Sequence, residues 1–409
     1  MSASAASTPA RTAELIDLVA TLGRERFAPR AARYDAEASF PFENYADLRE
    51  AGLLALCIPE RFGGMGADFQ TYCLVAAEMG RWCGATALTY NMHAQSMLWS
   101  GEIADQLDMA DDDRAAHERR REAFYGEVVE AGVLYAQPFS EPTASSATGA
   151  VTWDTEASET AEGWRVSGRK HFASLSGAAD FYTVTATARR EGAEPSRRDT
   201  VFLAVPADAE GFEITGVWDP VGMRATVSRN LVLDEVLVPH ERQVLPPGVY
   251  FQAAVRWPHL FMTLCPTYMG IAQAAFDFTV AYLRGELEGG PSGPPRRSSA
   301  TKQLAVAEMA VKLEAARALF ERAVGEAHID PDKAMMRRAY ATQFTVMETA
   351  NDICRLAVRT CGGSSIQKAL PLERLYRDSR CGALMLPWNA EICLERLGRE
   401  SLYERGETD

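Results

Sequence analysis

The sequence predicts an α+β protein, with an N-terminal helical domain, a central antiparallel β domain and a C-terminal helical bundle. Three observations predict it. Apolar residues recur at helical spacing as far as about residue 132, at every second position between 133 and 241, and at helical spacing again after Pro247. The period-two stretch is cut by Gly, Pro, Asp and Ser, as short strands joined by turns require. The stretch Tyr135–Gly177 gathers small hydroxyl residues, turn residues and alternating strands that neither flank contains. The expected domains are 11–132, 133–241 and 242–409.

Each element follows from local pattern. Leu15, Ile16, Leu18, Val19 and Leu22 space out one face of a helix over 11–34. A second helix spans Phe40 to Ala51, entered after Pro41, and a third spans Phe69 to Gly80. Between them ERFGGMGADF is a glycine loop. ATALTYNMHAQSMLWSG, 85–101, is apolar nearly all round and reads as a buried helix. Residues 102–124 carry enough charge for a solvated helical face. GWRVSGRKHFAS, DFYTVTATAR, DTVFLAVPA, GFEITGVW and SRNLVLDEVLVP then alternate as strands. Beyond Pro247, helices are expected over 255–283, 304–327, 334–360 (ended by Gly362 and Gly363) and 371–397, the last with a break at Pro387. GELEGGPSGPPRRSSATK, 285–302, reads as a linker.

Composition narrows the function. A net charge of −14 argues against nucleic acid or an anionic membrane as the main partner. It leaves room for a phosphorylated cofactor held by backbone amides and a few local cations. The eight cysteines form no Cys-x-x-Cys pair and lie mostly in apolar helical runs, so reduced thiols in a cytoplasmic protein are the simplest reading. No stretch has the look of a secretory signal or a membrane span. His117, His171, His240 and His328 show no metal-ligand spacing, and no metal is expected.

Four local signatures, in order, resemble the acyl-CoA dehydrogenase superfamily. FSEPTASS (139–146) is similar to its T-E-P-x-A-G-S turn, and GRKHFAS (168–174) to its G-x-K-x-W-I-T strand. GMRATVSRNLVLDEVLVP (222–239) is similar to its G-x-R-x-S segment ending in V-x-V-P. RTCGGSS with PLERLYRDSR (359–380) is similar to its Q-x-x-G-G-x-G and P-x-E-R-x-x-R-D-A pair. The resemblance runs from about Leu15 to Leu397. It implies a non-covalent FAD and a homodimer or homotetramer. It also implies a substrate that is acyl-CoA or a carrier-protein acyl thioester, and an electron-acceptor flavoprotein or oxygen as second partner.

The resemblance also assigns residues. Gln137, Phe139, Ser140 and Ser146 would run along the flavin and its pyrophosphate, with Ser140 at the pyrimidine edge and Ser146 on a phosphate. Phe172 replaces the usual Trp against the ring, and Ser174 the usual Thr near N5. Arg359, Gly362 and Gly363 resemble the loop that reaches the FAD of a neighbouring subunit. Trp388 and Asn389 align with a segment touching flavin or adenine. The family's R-x-x-F-G segment is replaced by the 285–302 linker, where Arg296 and Arg297 are candidate phosphate ligands against a solvated-linker alternative.

The family's reaction takes a proton from Cα of an acyl thioester and passes a hydride from Cβ to the flavin. It needs a carboxylate base. The usual Glu position falls on Leu386, in the substrate pocket, and the less common one near Leu260. General base catalysis is worth roughly 10²–10⁴-fold, so this loss is serious. Glu391, His93 and His259 are candidate replacements. Each also has a plainer reading, as a surface helical Glu, a satisfied core histidine and a packing residue beside Pro258. Three functions stay open. They are a dehydrogenase with a relocated base, a reduced-flavin-dependent monooxygenase with His93 near the ring, and a partner subunit of a heteromeric enzyme.

Overall fold

The computed structural model describes residues 9–142, 152–287, 296–404 and 407. The N-terminal part is helical: α1 Pro9–Leu22, α2 Ala28–Glu37, α3 Phe42–Glu50, α4 Phe69–Trp82, α5 Gly84–Leu98 and α6 Asp111–Gly126. A wider turn at Gly23–Phe27 carries α1 into α2 without a break. The Asp68 side chain accepts from Thr71 N at 2.8 Å and caps α4, which is why the helix starts at Phe69.

The strands are β1 Tyr135–Ala136, β2 Glu156–Glu159, β3 Gly163–Ala173, β4 Phe181–Arg189, β5 Thr200–Pro206, β6 Phe212–Thr215, β7 Arg229–Pro239 and β8 Gln243–Leu245. They form one sheet in the order β6-β7-β3-β2-β4-β5-β8, with β1 against β4. The sheet is mixed, not purely antiparallel. β2 forms a hairpin with β3 but runs parallel to β4, and β1 is also parallel to β4. Alternation cannot reveal this, because side chains alternate with period two in either kind of pair. β4 is buried along both faces, including Thr183, Thr185 and Thr187. Each threonine spends its hydroxyl: Thr183 donates to Ala136 O, Thr187 to Trp153 O, and Thr185 meets Lys170.

The C-terminal part comprises α7 Val249–Arg256, α8 Cys265–Arg284, α9 Ala300–Gly325, α10 Lys333–Cys361, α11 Leu372–Cys381 and α12 Ala390–Leu402. The single helix expected over 255–283 is broken by a short turn at Pro258–Met262. The break expected at Pro387 is present and wider, separating α11 from α12 between Cys381 and Ala390. Both interruptions bring backbone to the same cleft. α4 and α8 cross closely because Gly80 and Gly270 face each other's backbone; a Cβ on Gly270 would lie 2.2 Å from Ala77 O.

Two polar clusters lock the sheet to its surroundings. In the first, the Glu141 carboxylate accepts from Asp154 N (2.7 Å), Thr155 N (3.0 Å), Thr155 Oγ1 (2.6 Å) and Lys170 Nζ (2.7 Å). Lys170 also donates to Thr185 O at 2.7 Å and lies 4.7 Å from the Trp153 ring centroid. Both side chains are fully buried. The partner and donors hold the Glu141 carboxyl below its usual range against the opposing effect of burial, while burial brings the Lys170 amine down to about 8. In the second, Arg377 on α11 bonds Asp35, Glu373 and Val221 O, and Asp378 accepts from Met223 N at 2.6 Å. Gly222 fits between because a Cβ there would meet Arg377 O at 2.4 Å.

Removing one member of a fully buried ion pair leaves the other charge without compensation. Lys170→Met should therefore destabilise the fold by about 3 kcal/mol or more. Urea unfolding checks this, and a loss within error of zero would contradict the role given to the pair.

Candidate functional site

A cleft of about 320 Å³ opens where the sheet, α5 and the two C-terminal interruptions meet. From the sheet side come Gln137, Phe139 and Ser140 after β1, and Phe172 and Ser174 at the end of β3. The β6–β7 connection adds Trp218, Pro220, Met223, Thr226 and Ser228. α5 contributes Leu88, Asn91, Met92 and Gln95, and the turn before α8 contributes Phe261, Thr263 and Leu264. Cys381, Leu384, Met385, Leu386 and Pro387 close the remaining side. No Asp, Glu, His, Lys or Arg is among the described residues of this lining.

The polar groups in the cleft are neutral, and two are unsatisfied. Gln137 is buried, and neither amide atom has a partner. Asn91 accepts from Tyr72 Oη at 2.8 Å, but its Nδ2 has no partner. An unsatisfied buried amide costs about 1–3 kcal/mol, so both point to a ligand that completes them. Ser140 is tied down through its carbonyl, which accepts from His171 N at 2.8 Å. Phe172 has φ +53° and stays 64% exposed, its ring edge-on to Trp218 at 6.2 Å. A left-handed aromatic residue costs energy, and here it sets the ring at the cleft wall. Ser174, Ser228 and Thr226 are buried hydroxyls in mutual contact.

Several sequence-derived candidates lie elsewhere. His93 is fully buried away from the lining. Its Nδ1 accepts from Tyr135 N at 3.2 Å, so Nε2 carries the proton and donates to Leu54 O at 2.8 Å. Burial takes its pKa down to about 4. With both ring nitrogens spent, His93 is a core histidine and not a catalytic base. Glu391 is exposed in the first turn of α12, where a carboxylate complements the helix N-terminus, and it does not reach the cleft. Asn389 caps the same helix by accepting from Ile392 N at 2.8 Å. Trp388 is buried against Tyr340, with ring centroids 4.7 Å apart, and stands behind Phe261. His259 is buried outside the lining and also drawn down to about 4 by burial. Arg359 and Gly363 are exposed at the end of α10, with Gly362 half-buried between them and the cleft elsewhere. Arg296 and Arg297 are exposed too. Arg296 lies close enough to the end of α10 to act on the Cys361 thiol. Ser146 lies outside the described residues.

Asn91, Thr226 and Ser228 escaped the sequence reading. Thr226 and Ser228 sit inside GMRATVSR, so the signature was visible while its hydroxyls were not singled out. Asn91 lies in a helix buried on nearly every side, where no polar face marks the residue turned to a cavity.

Three family descriptions match in order: acyl-CoA dehydrogenase N-terminal domain over residues 10–105, middle domain over 136–236 and C-terminal domain over 262–385. The chain belongs to the acyl-CoA dehydrogenase superfamily. Among curated relatives it is 26% identical to the probable acyl-CoA dehydrogenase YngJ of Bacillus subtilis over 369 residues, 89% of this chain and 91% of that one. Among solved structures it is similar to a nitrososynthase from Micromonospora carbonacea var. africana, with TM-score 0.81, 25% identity and coverage of 99% and 100%. Dibenzothiophene monooxygenase TdsC from Paenibacillus sp. A11-2 gives TM-score 0.78 at 18% identity, covering 95% and 97%. One fold thus carries both dehydrogenase and oxygenase names. No helix among the described residues is long and apolar enough to cross a membrane.

The cleft of this superfamily member fits a flavin on its own features. Gln137 offers a donor and an acceptor to a pyrimidine edge, Phe172 and Trp218 offer aromatic surface, and the hydroxyl cluster offers a polar spot in an apolar wall.

The buried histidines make a pH prediction. His93, His117 and His259 are all lowered from 6.5 to about 4. As pH falls from 6.5 towards 4, the unfolded chain takes up protons that the folded chain refuses, so these sites withdraw stability over that window. His93→Gln should make this dependence shallower by one proton, about 1.4 kcal/mol per pH unit. Urea midpoints at pH 5 and 7 test it, and an unchanged slope would place His93 in contact with solvent.

Proposed function

We propose that the protein is a reduced-flavin-dependent monooxygenase acting on an uncharged, largely apolar substrate. The observation that carries this reading is a cleft with no carboxylate or histidine among the described residues of its lining. Dehydrogenation of an acyl thioester needs a base at Cα, and the two positions where the family keeps it hold Leu386 and Leu260. Leu386 faces the cleft as a hydrocarbon wall, and the alternative candidates His93, His259 and Glu391 lie outside it. Oxygen insertion has no such requirement for a base at a C–H bond.

A reduced flavin supplies the two electrons that let one atom of molecular oxygen enter a substrate while the other leaves as water. The chain's own residues bind, orient and keep water out. Gln137 would hold the pyrimidine edge, and Phe172 would cover the ring. Leu88, Met92, Phe261, Leu264 and Met385 form a dry wall that protects a reactive site from hydrolysis and side reactions. Asn91 Nδ2 provides a donor for a single polar group on the substrate. The name of dibenzothiophene monooxygenase TdsC supports this reading, as does a structure of TdsC with FMN. If the flavin is FAD, its adenine half would meet Arg359, Gly362 and Gly363 of a second copy, as the family resemblance implies, since the same chain holds them away from its own cleft.

Anaerobic titration with acyl-CoAs of graded chain length tests the reading. The flavin should stay oxidised with every one. Chemically reduced flavin should bind and reoxidise in air at a rate different from free flavin. Bleaching by any acyl-CoA would return the protein to the dehydrogenases. Gln137→Leu should weaken flavin binding roughly tenfold through loss of its paired amide contacts, read by fluorescence quenching.

A further inference from the structure

We propose that Ser174, Ser228 and Thr226 form a one-way hydrogen-bond chain that makes the cleft select reduced over oxidised flavin. The inference rests on the flavin reading of the cleft and deepens it.

Three contacts define the chain. Thr226 Oγ1 lies 2.9 Å from Met223 O, Ser228 Oγ lies 2.7 Å from Thr226 Oγ1, and Ser174 Oγ lies 2.8 Å from Ser228 Oγ. All three hydroxyls are buried and line the cleft. Each hydroxyl has one proton to give. A carbonyl oxygen only accepts, so the Thr226 proton goes to Met223 O. Thr226 Oγ1 can then only accept, and the proton between it and Ser228 belongs to Ser228. Ser228 has none left, so the proton between it and Ser174 belongs to Ser174. Three protons fill three contacts in a single arrangement. Ser174 is left presenting lone pairs alone to the cleft.

The chemistry of the ligand then decides which state fits. A reduced flavin carries an N–H at the centre of its ring system where the oxidised ring carries a lone pair. With that atom seated against it, Ser174 as an obligate acceptor would pair with the N–H and would face the lone pair of the oxidised ring unfavourably. The Met223 carbonyl is itself fixed, because the Met223 amide is held by buried Asp378 at 2.6 Å. The direction of the chain is thus anchored by backbone and does not depend on solvent.

The test measures affinity and not turnover. Dissociation constants for FMN and FAD are determined anaerobically in the oxidised and dithionite-reduced states, by ultrafiltration. The wild type should bind the reduced form about tenfold or more tightly, the worth of one hydrogen bond gained against one mismatch. Ser228→Ala frees the Ser174 proton to turn towards the ligand and should bring the ratio within about threefold. Thr226→Val removes the terminal relay, lets Ser228 donate to Ser174, and should shift the ratio towards the oxidised form. Thr226→Ser keeps every contact and should keep the wild-type ratio. Equal affinity of the wild type for both states overturns the inference, as does an unchanged ratio in Ser228→Ala. If Thr226→Val fails to fold, Ser228→Ala decides alone. Bleaching by acyl-CoA would defeat the monooxygenase reading whatever the ratio, and absence of any flavin binding would defeat both.

Discussion

The buried pair between Lys170 and Glu141 is the contact on which the site depends. It joins the turn after β1, the approach to β2, and strands β3 and β4 at one point. The geometry is what makes such a pair tolerable. A buried ion pair gains little if its remaining lone pairs and protons go unmet. Here the carboxylate takes four donors, and the amine finds two oxygens of Thr185 and the face of Trp153. Glu141 follows Ser140 directly, and Lys170 precedes Phe172 by two residues. The two segments of the sheet that enter the cleft are therefore fixed against each other.

A second constraint comes from the C-terminal side. Arg377 and Asp378 take hold of the β6–β7 connection through Val221 O and Met223 N. Asp378 is fully buried, and burial raises its carboxyl to about 6. The backbone it binds carries Met223, Thr226 and Ser228 into the cleft. Strong charges in this protein thus stand one layer behind the cleft, holding backbone, while the wall itself stays neutral.

That arrangement explains what could be read from sequence and what could not. The strands and the four signatures were legible because turn residues and alternation are local. Gln137, Phe139, Ser140, Phe172, Ser174 and Leu386 all line one cleft; Phe139, Ser140, Phe172 and Ser174 lie inside two of the signatures, and Gln137 and Leu386 outside them. Facing was not legible. His93 sits in a helix buried almost all round, so its sequence gives no inner or outer side, and only tertiary packing delivers it to Leu54 and Tyr135. Asn389 has a residue type common in sites, yet its offset from Ile392 makes it a helix cap. The parallel pairing of β2 with β4 and the hydroxyl chain both depend on register between segments, which periodicity does not encode.

A neutral wall changes how the site controls protons. In a dehydrogenase cleft a carboxylate sets proton traffic by its charge and pKa. Here every polar side-chain group among the described lining residues is an amide, a hydroxyl, a thiol or the Trp218 indole N–H. Burial keeps Cys381 protonated, with its thiol raised to about 11. No group in the wall therefore titrates near neutrality, and selectivity must come from which atoms donate and which accept. Hydroxyls on their own rotate freely and carry no such information. A chain of them ended by a carbonyl does, because the last acceptor fixes every proton before it. With Leu386 in the wall, no charge at that point dominates these weaker, directional contacts.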